Sequence, residues 1–249
     1  MRAAAFVYGI GVLVGAMLTA LLIGTVGVLP FAVVPRGRRE RYSIRAAQLW
    51  AWVVIRGLLL CSPTVTGDSG LRTDEGAVVF CNHRSWVDPL LLIVHLRSNG
   101  LSKREILFLP AIGLYGWLSG AIFMDRRSEA SRSAARHEVV AMVRAGNRIQ
   151  VFPEGTRSRD GALSETVYLG TARDAYAHVL PVIPCAVMHT ERCLPAPMRG
   201  AWPLQRVRLH IGSALRPADY PDSESFALAC WGRVRELVEE LREEASPGV

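Results

Sequence analysis

The feature that most constrains this chain is an uncharged apolar stretch at its N-terminus. Residues 3–34 contain no charged side chain over 32 positions, and most of them are Ala, Val, Leu, Ile or Gly. One helix of that length would extend about 48 Å, which exceeds the roughly 30 Å hydrocarbon core of a bilayer. Pro30, preceded by Gly24 and Gly27, is therefore predicted to break the stretch. We expect an N-terminal membrane-embedded helical segment.

A secretory signal peptide is the alternative explanation of this stretch. The apolar part of a signal peptide is only about 7–15 residues long and follows a positively charged start, which Arg2 alone would supply here. Basic side chains instead follow the stretch, at Arg36, Arg38, Arg39, Arg41 and Arg45. Basic flanks stay on the cytoplasmic side of a membrane. The sequence therefore predicts a retained anchor in the cell inner (cytoplasmic) membrane, in contact with membrane lipids, and a following domain that faces the cytoplasm.

A second apolar stretch, residues 46–61, is short for a membrane span and contains Gln48 and Arg56. Trp50 and Trp52 suit the headgroup level of a bilayer. We expect a helix that lies in the interface and can complete a hairpin with the first segment. An ordinary core helix is the alternative. The predicted division is thus a membrane anchor with an interfacial helix over residues 1–60 and one domain over residues 61–249.

Beyond residue 61, short apolar runs alternate with helical patterns. Strands are predicted at 77–81, 106–109, 121–124, 149–152, 182–187 and 207–211, and helices at 86–95, 131–144, 171–178 and 225–244. Strands that alternate with helices are typical of a layered α/β domain. The predicted fold class is α/β, with a mostly parallel sheet flanked by helices.

The charge distribution indicates a class of binding partner, and the cysteine content indicates a redox compartment. The net charge is +7 with half of the residues hydrophobic, which excludes a disordered chain. Residues 1–60 and 61–216 each carry an excess of +6, whereas residues 217–249 carry −5. This distribution favours a membrane surface or a phosphorylated small molecule, and no nucleic acid, because no basic run is interleaved with aromatic residues. Five widely spaced cysteines without a CxxC pair fit a reducing compartment and are predicted to be core residues.

Three of the predicted strands run directly into polar loops. Residues 82–88 read NHRSWVD, residues 125–127 read DRR, and residues 153–158 read PEGTRS. In parallel sheets, chemistry collects on the loops beyond the carboxyl ends of the strands. We therefore expect one cleft that brings together a histidine base, carboxylates and arginines.

In the first loop, His83 and Asp88 can pair if His83 lies in the turn and Asp88 in the first turn of the following helix. Asp88 would then accept a hydrogen bond from one ring nitrogen and leave the other nitrogen as a base. The alternative is structural, since Ser85 and Asp88 have the spacing of a helix capping box. On these residues alone both interpretations stay open.

The third loop combines groups that suit a phosphorylated ligand. Gly155 permits a positive φ or a close backbone approach, and Thr156 offers a hydroxyl. Arg157 presents a planar guanidinium that can take two phosphate oxygens. Glu154 can accept hydrogen bonds from sugar or glycerol hydroxyls. The alternative is a surface turn held by a Glu154–Arg157 ion pair.

Taken together, four motifs in this chain resemble those of the glycerolipid acyltransferase superfamily, which includes bacterial 1-acyl-glycerol-3-phosphate acyltransferases. The first is N-H-x4-D at residues 82–88, and the second is G-x-I-F-x-D-R at residues 120–126. The third is F-P-E-G-T-R-S at residues 152–158, and the fourth is the V-I-P strand at residues 182–187. All four occur in the family's order. The resemblance implies a glycerolipid acyltransferase-like fold behind a membrane-embedded helical pair.

The resemblance also implies a reaction. A fatty acyl group would pass directly from acyl-CoA or acyl carrier protein to the sn-2 hydroxyl of lysophosphatidate, giving phosphatidic acid. His83, oriented by Asp88, would deprotonate that hydroxyl. The phosphorylated acceptor would be held by Arg126, Glu154, Gly155, Thr156 and Arg157. A thioester already has a good leaving group, so no metal and no cofactor other than this co-substrate is expected.

One position departs from the family pattern. The family usually shows F-K-x-G after the third motif, whereas residues 167–170 read VYLG, so that Tyr168 stands in place of the lysine. Arg127, Arg159 or Arg173 can replace the missing charge. Equally, the acceptor can be another lysolipid, such as a lyso-aminolipid.

A third hypothesis is a membrane-anchored lipid-binding protein without catalytic activity. The intact His83 and Asp88 argue against it, because a binding protein does not require a base.

Overall fold

The computed structural model describes residues 2–158, 161–195 and 199–245. Helix α1 covers Arg2–Gly27 and is followed by a 3₁₀ turn at Leu29–Phe31. The turn contains Pro30, which confirms the predicted break. Residues Ala3–Gly27 are long and apolar enough to cross a membrane, which is consistent with membrane association.

Helix α2 covers Arg39–Trp52 and continues as a π-helical turn over Val53–Leu58. The remaining helices of the described residues are α3 (Val87–Leu96), α4 (Ile112–Leu118), α5 (Glu129–Arg144), α6 (Gly170–Ala177) and α7 (Ser223–Ala245). The sequence predicted α3, α5, α6 and α7 close to these bounds, whereas α4 was not predicted.

Within the described residues, one seven-stranded sheet has the order β1-β7-β6-β2-β5-β3-β4. Its strands are β1 (Ser62–Gly67), β2 (Ala77–Cys81), β3 (Ser98–Lys103), β4 (Ile122–Met124), β5 (Arg148–Val151), β6 (Val182–Met188) and β7 (Arg206–Ile211). All neighbouring pairs are parallel except β6 and β7, which are antiparallel. The predicted α/β class with a mostly parallel sheet is confirmed.

The predicted strand at residues 106–109 is wrong. Residues 106–108 belong to a 3₁₀ turn, Arg104–Phe108, which Leu109 follows, and the Phe108 side chain is 71% exposed. Periodicity cannot assign such a short apolar run, and here the preceding polar residues Ser98–Lys103 form the strand instead. The edge strand Ser62–Gly67 was missed for a related reason, because its residues SPTVTG have no apolar pattern.

Helix α1 packs along the rest of the protein, against α2 in its middle and against the domain over residues 61–249 at its two ends. Its inner face is made of small side chains, among them Ala5, Ala16 and Ala20, which are buried. Near one end, the Ala201 amide donates a hydrogen bond to the Ala5 carbonyl (2.9 Å). Near the other end, the hydroxyls of Thr25 and Tyr115 lie 2.7 Å apart. Both ends of α1 therefore contact the same domain.

The sequence left open whether this segment lies in the membrane interface or in the protein core, and α2 has features of both. Ile44 and Ala51 are buried, whereas Tyr42, Leu49 and Trp52 are exposed. Of the two tryptophans expected at the headgroup level, Trp52 is thus exposed, while the Trp50 indole donates to the Ala16 carbonyl. One face of α2 belongs to the core and the opposite face presents apolar side chains.

Two features bear on the predicted division of the chain. The boundary between residues 60 and 61 falls between the π-helical turn and β1. Packing is continuous across it, because Val12 and Ala16 of α1 share a core cluster with Ala77 and Val79 of β2.

All five cysteines are buried free thiols, which confirms that they are core residues.

Candidate active site

The polar loops leave the carboxyl ends of β2, β4 and β5. Strands β2 and β5 are neighbours, so their loops meet directly, whereas β3 separates β5 from β4. Arg126, which follows β4, spans that gap, because its Nη1 donates a hydrogen bond to the Gly155 carbonyl in the loop after β5. The sheet order thus brings the three motifs to one edge, as the sequence predicted.

His83 and Asp88 form a hydrogen-bonded pair. The imidazole Nδ1 lies 2.8 Å from the Asp88 Oδ2, with the Asp88 side chain fully buried and the His83 side chain 16% exposed. The same Oδ2 also accepts the backbone N–H groups of Arg84 (2.6 Å) and Ser85 (2.7 Å). The pairing and the structural turn that the sequence offered as alternatives therefore occur together. With Nδ1 engaged, Nε2 is the ring nitrogen left to act as a base.

The ring of His83 is also fixed by an aromatic contact that the sequence analysis missed. Its centroid lies 4.0 Å from that of Phe152, with an angle of 19° between the two planes. Phe152 follows the last residue of β5 and opens the third loop. The stacked ring limits rotation of the imidazole, so the pair with Asp88 and the contact with Phe152 together define its orientation.

Glu154 joins the first and third loops through the main chain. Its side chain is buried, and its Oε1 accepts the His83 backbone N–H at 2.7 Å. Its Oε2 accepts the Ser164 N–H at 3.1 Å, and the Ser158 N–H in turn donates to the His83 carbonyl at 2.8 Å. Burial raises the pKa of the Glu154 carboxyl, and the two N–H groups partly offset this. The carboxylate thus supports the geometry of the two loops.

Arg157 is held by an aromatic ring. Its guanidinium carbon lies 4.4 Å from the centre of the Trp86 ring. The Glu154–Arg157 ion pair, which the sequence left open as an alternative, is not found among the described residues, where the Glu154 oxygens accept backbone N–H groups. Its Nη1 is buried without a hydrogen-bond partner in the described structure. Burial lowers the pKa of Arg157 from its very high ordinary value. Trp86 was missed as a functional residue because its place in the first motif does not reveal that its ring reaches the third.

Arg126 lies close enough to Arg157 for the two charges to repel. Burial lowers the pKa of Arg126, and the Arg157 charge lowers it further. The Nε of Arg126 is a second buried donor without a hydrogen-bond partner in the described structure. Two half-buried cations with free donors form a place where an anion would be stabilised.

Gly155, Thr156 and Tyr168 complete this face of the site. Gly155 has a φ of +67°, in the left-handed region, and a Cβ placed there would lie 3.1 Å from the Tyr168 ring. The Thr156 side chain is exposed. Tyr168 is 68% exposed, and its backbone N–H donates to the Pro153 carbonyl at 2.8 Å. The aromatic ring that replaces the family's lysine therefore covers the glycine of the third motif.

The three arginines considered as replacements for that lysine differ in their surroundings. Arg173 forms an exposed ion pair with Glu224, with the Nε–Oε2 distance 2.7 Å. Arg127 is exposed, and Arg159 lies outside the described residues. Among the described residues no group of three or more His, Cys, Asp or Glu side chains is arranged to hold a metal ion. The expectation that the reaction needs no metal stays a prediction.

The fold and the site place this chain in a known class. A family model described as Acyltransferase matches residues 62–188, which is just over half of the chain. The chain therefore belongs to the acyltransferase family. Its fold is similar to the crystal structure of the 1-acyl-sn-glycerophosphate (LPA) acyltransferase PlsC from Thermotoga maritima, with a TM-score of 0.75 and 22% identity over 97% of this chain and 98% of that one.

Curated relatives carry one recurring name. A 1-acyl-sn-glycerol-3-phosphate acyltransferase of Borreliella burgdorferi is 33% identical over 99 residues, which are 39% of this chain and 40% of the relative. The human 1-acyl-sn-glycerol-3-phosphate acyltransferase alpha is 37% identical over 102 residues, 40% of this chain and 36% of the relative. The chain thus spans less than half the length of these relatives. The Haemophilus influenzae enzyme of the same name is 25% identical over 69% of this chain and 72% of its own.

Proposed function

We propose that this protein is a membrane-associated 1-acyl-sn-glycerol-3-phosphate O-acyltransferase. It would transfer a fatty acyl group from an acyl thioester to the sn-2 hydroxyl of lysophosphatidate and produce phosphatidic acid. The observation that carries the proposal is the His83–Asp88 pair on the same sheet edge as two half-buried arginines with free donors. Membership of the acyltransferase family and the names of the curated relatives support it.

His83 is the general base of the proposed reaction. Its Nε2 takes the proton of the sn-2 hydroxyl while the hydroxyl oxygen attacks the thioester carbonyl. Collapse of the tetrahedral intermediate breaks the carbon–sulfur bond, and the leaving thiolate takes the proton back from the imidazolium. Asp88, hydrogen-bonded to Nδ1, keeps the ring in the required tautomer and stabilises the imidazolium. The acyl group passes directly between the two substrates.

Arg126 and Arg157 bind the acceptor's phosphate in this proposal. A phosphomonoester carries close to two negative charges near neutral pH. It would relieve the repulsion between the two guanidiniums and satisfy the Arg126 Nε and the Arg157 Nη1, which are buried without partners in the described structure. Thr156, whose side chain is exposed beside them, can add a hydroxyl contact.

Glu154 has a structural role in the proposed site beside the acceptor binding predicted for it. Both of its carboxylate oxygens accept backbone N–H groups, from His83 and Ser164. We therefore assign it to holding the third loop against the first, and a hydrogen bond from a glycerol hydroxyl of the acceptor stays a prediction. The Gly155 carbonyl accepts a hydrogen bond from Arg126, and the positive φ of Gly155 permits the turn.

The membrane segment would hold the cleft at the surface that contains the lysolipid. The outward face of α1 exposes Val7, Leu18, Leu22 and Val26, and both ends of the helix contact the domain. A helix that crossed the bilayer away from the domain could not make both contacts. We therefore propose that α1 lies within the leaflet that faces the cytoplasm and that the catalytic domain remains on that side.

A second acceptor class has one observation in its favour. Tyr168, exposed beside Gly155, replaces a cation that the resemblance places near the acceptor. A lysolipid without a phosphomonoester, such as a lyso-aminolipid, would need one charge less at this position.

Purified full-length protein in lipid nanodiscs tests the proposal. Acyl-CoA and acyl carrier protein thioesters are each supplied with lysophosphatidate, a lyso-aminolipid or 1-acylglycerol, and products are identified by mass spectrometry. We expect phosphatidic acid from lysophosphatidate, and at least a hundredfold slower formation of it by the His83→Ala variant. Efficient acylation of the lyso-aminolipid alone would establish the second acceptor class. If no acceptor consumes either thioester, the protein is not an acyltransferase for these lipids.

A further inference from the structure

We propose that Trp86 is a positioning residue that holds the Arg157 guanidinium ready for the acceptor's phosphate. This inference rests on the proposed function and extends it to a residue that acts through Arg157. Trp86 lies in the same loop as His83 and immediately precedes α3, whose first turn contains Asp88. Arg157 lies in the loop after β5. The contact between their side chains therefore connects the loop that carries the base, His83, with the loop that carries the phosphate-binding Arg157.

The mode of contact matters for what Arg157 can still bind. A guanidinium has five N–H donors in its plane and none on its faces. A carboxylate partner would occupy donors and neutralise the charge, whereas an aromatic ring whose centre lies 4.4 Å from the guanidinium carbon attracts the cation and leaves its charge in place. The Nη1 of Arg157 is buried without a partner in the described structure. The contact with Trp86 thus orients the cation while its Nη1 remains available for phosphate.

The two loops are also held together next to this contact. The Ser158 N–H, one residue after Arg157, donates to the His83 carbonyl at 2.8 Å, and Glu154 accepts the His83 N–H. These main-chain bonds fix the beginning of the Arg157 side chain, and the Trp86 ring fixes its far end. An arginine side chain that was free to move would lose conformational entropy when it bound phosphate, and this loss would lower the affinity.

A purely structural role is the competing explanation, because the Trp86 side chain also packs against the core cluster that contains Val87 and Leu91. Leucine at this position would retain apolar packing and remove the aromatic face. Phenylalanine would retain both the packing and a smaller face. Trp202, which is also partly buried, supplies a matched control as Trp202→Leu.

The experiment measures KM and kcat for lysophosphatidate in Trp86→Leu, Trp86→Phe, Arg157→Ala and the double variant Trp86→Leu/Arg157→Ala. We expect Trp86→Leu to raise KM about three- to thirtyfold, the range of a cation–π contact, with kcat and the pH profile nearly unchanged. Trp86→Phe should recover part of the loss, and Trp202→Leu should show none. In the Arg157→Ala background, Trp86→Leu should change KM less than about twofold, because coupled residues are not additive.

The outcomes separate this inference from the proposed function. If Arg157→Ala raises KM but Trp86→Leu does not, or if the two effects multiply, Trp86 does not act through Arg157 and the inference is wrong. If Arg157→Ala itself leaves KM unchanged, the phosphate-binding role of Arg157 fails first. A fall in kcat and melting temperature without a change in KM would assign Trp86 to packing alone.

Discussion

The Oδ2 atom of Asp88 lies 2.8 Å from the Nδ1 of His83 and also accepts two backbone N–H groups of the same loop, those of Arg84 and Ser85. One buried oxygen therefore organises the turn and orients the imidazole. Its companion Oδ1 is buried without a hydrogen-bond partner in the described structure. Because one atom serves both tasks, changes at Asp88 should affect the loop and the chemistry together, whereas changes at the His83 side chain should affect the chemistry alone.

Replacement of the base is the first prediction. His83→Ala should lower kcat by about a hundredfold to ten-thousandfold, the usual cost of removing a general base. The backbone bonds of residue 83 do not involve the ring, so the melting temperature and membrane association should stay near those of the wild type. Thioester-release kinetics and thermal unfolding check this. His178→Ala is the control, because the His178 ring hydrogen-bonds to Arg144 and follows α6, outside the three loops of the site. Near-normal turnover in His83→Ala would exclude His83 as the base.

Replacement of the orienting carboxylate is the second prediction. Asp88→Asn keeps an oxygen for the turn but removes the charge that stabilises the imidazolium, so kcat should fall strongly while KM for lysophosphatidate changes little. Ser85→Ala provides the contrast, since the Ser85 hydroxyl donates to the Leu194 carbonyl and has no contact with the imidazole. Steady-state kinetics and melting curves of both variants separate the two roles. Loss of stability in Asp88→Asn without loss of rate would leave Asp88 with the turn alone.

The third prediction concerns the two arginines. Arg126→Ala and Arg157→Ala should each lower kcat/KM for lysophosphatidate about tenfold to a hundredfold, since a hydrogen bond to a charged group contributes roughly 1.5–3 kcal/mol. Arg157→Lys should recover only part, because an ammonium lacks the planar fork. Arg173→Ala, which breaks an exposed ion pair with Glu224, is the control. The same kinetics with 1-acylglycerol should be insensitive to all three positions. Equal losses for both acceptors would contradict a phosphate-specific role.

The fourth prediction is a pH dependence of stability. Burial raises the pKa of Glu154, so the fold favours the neutral carboxyl. Its contribution to stability is therefore full below the ordinary carboxyl pKa and is lost as the pH rises through the raised value. Glu154→Gln cannot titrate. The melting temperature of the wild type minus that of Glu154→Gln should thus decrease as the pH rises above about 4.5, the ordinary value for a glutamate carboxyl. A difference that grows with pH would show that the backbone hydrogen bonds to the carboxylate outweigh its burial.

The fifth prediction concerns the outward face of α1. Leu18→Arg with Leu22→Arg places two charges on exposed positions that do not contribute to the core. If this face enters the bilayer, the doubly substituted protein should shift from membranes to the soluble fraction, because charge in the hydrocarbon region is costly. Vesicle flotation measures the shift. Leu228→Arg, at an exposed position of α7, is the control. Unchanged flotation of the doubly substituted protein would place its attachment elsewhere.

The local chemistry of the site could be predicted from the sequence. His83 and Arg157 lie in short loops directly after apolar runs, and Asp88 lies in the first turn of the helix that follows the first loop. Parallel strands place such loops at one edge. The break at Pro30 and the buried cysteines also follow from residue type and spacing. In contrast, strands Ser62–Gly67 and Ser98–Lys103 carry little apolar pattern and could not be predicted. They are stabilised by pairing with neighbouring strands, which the local sequence does not reveal.

What the sequence by itself determined is therefore the class of fold, the uncharged N-terminal helix, and the identity of the groups that can act as base and anion ligands. These properties depend on residue type and on contacts close in the chain. Only the tertiary structure decided that Trp86 lies over Arg157, that Phe152 stacks on His83, and that both ends of α1 contact the domain. Each of these contacts joins residues from different segments, and their geometry depends on how the sheet order and the packed core place the segments together.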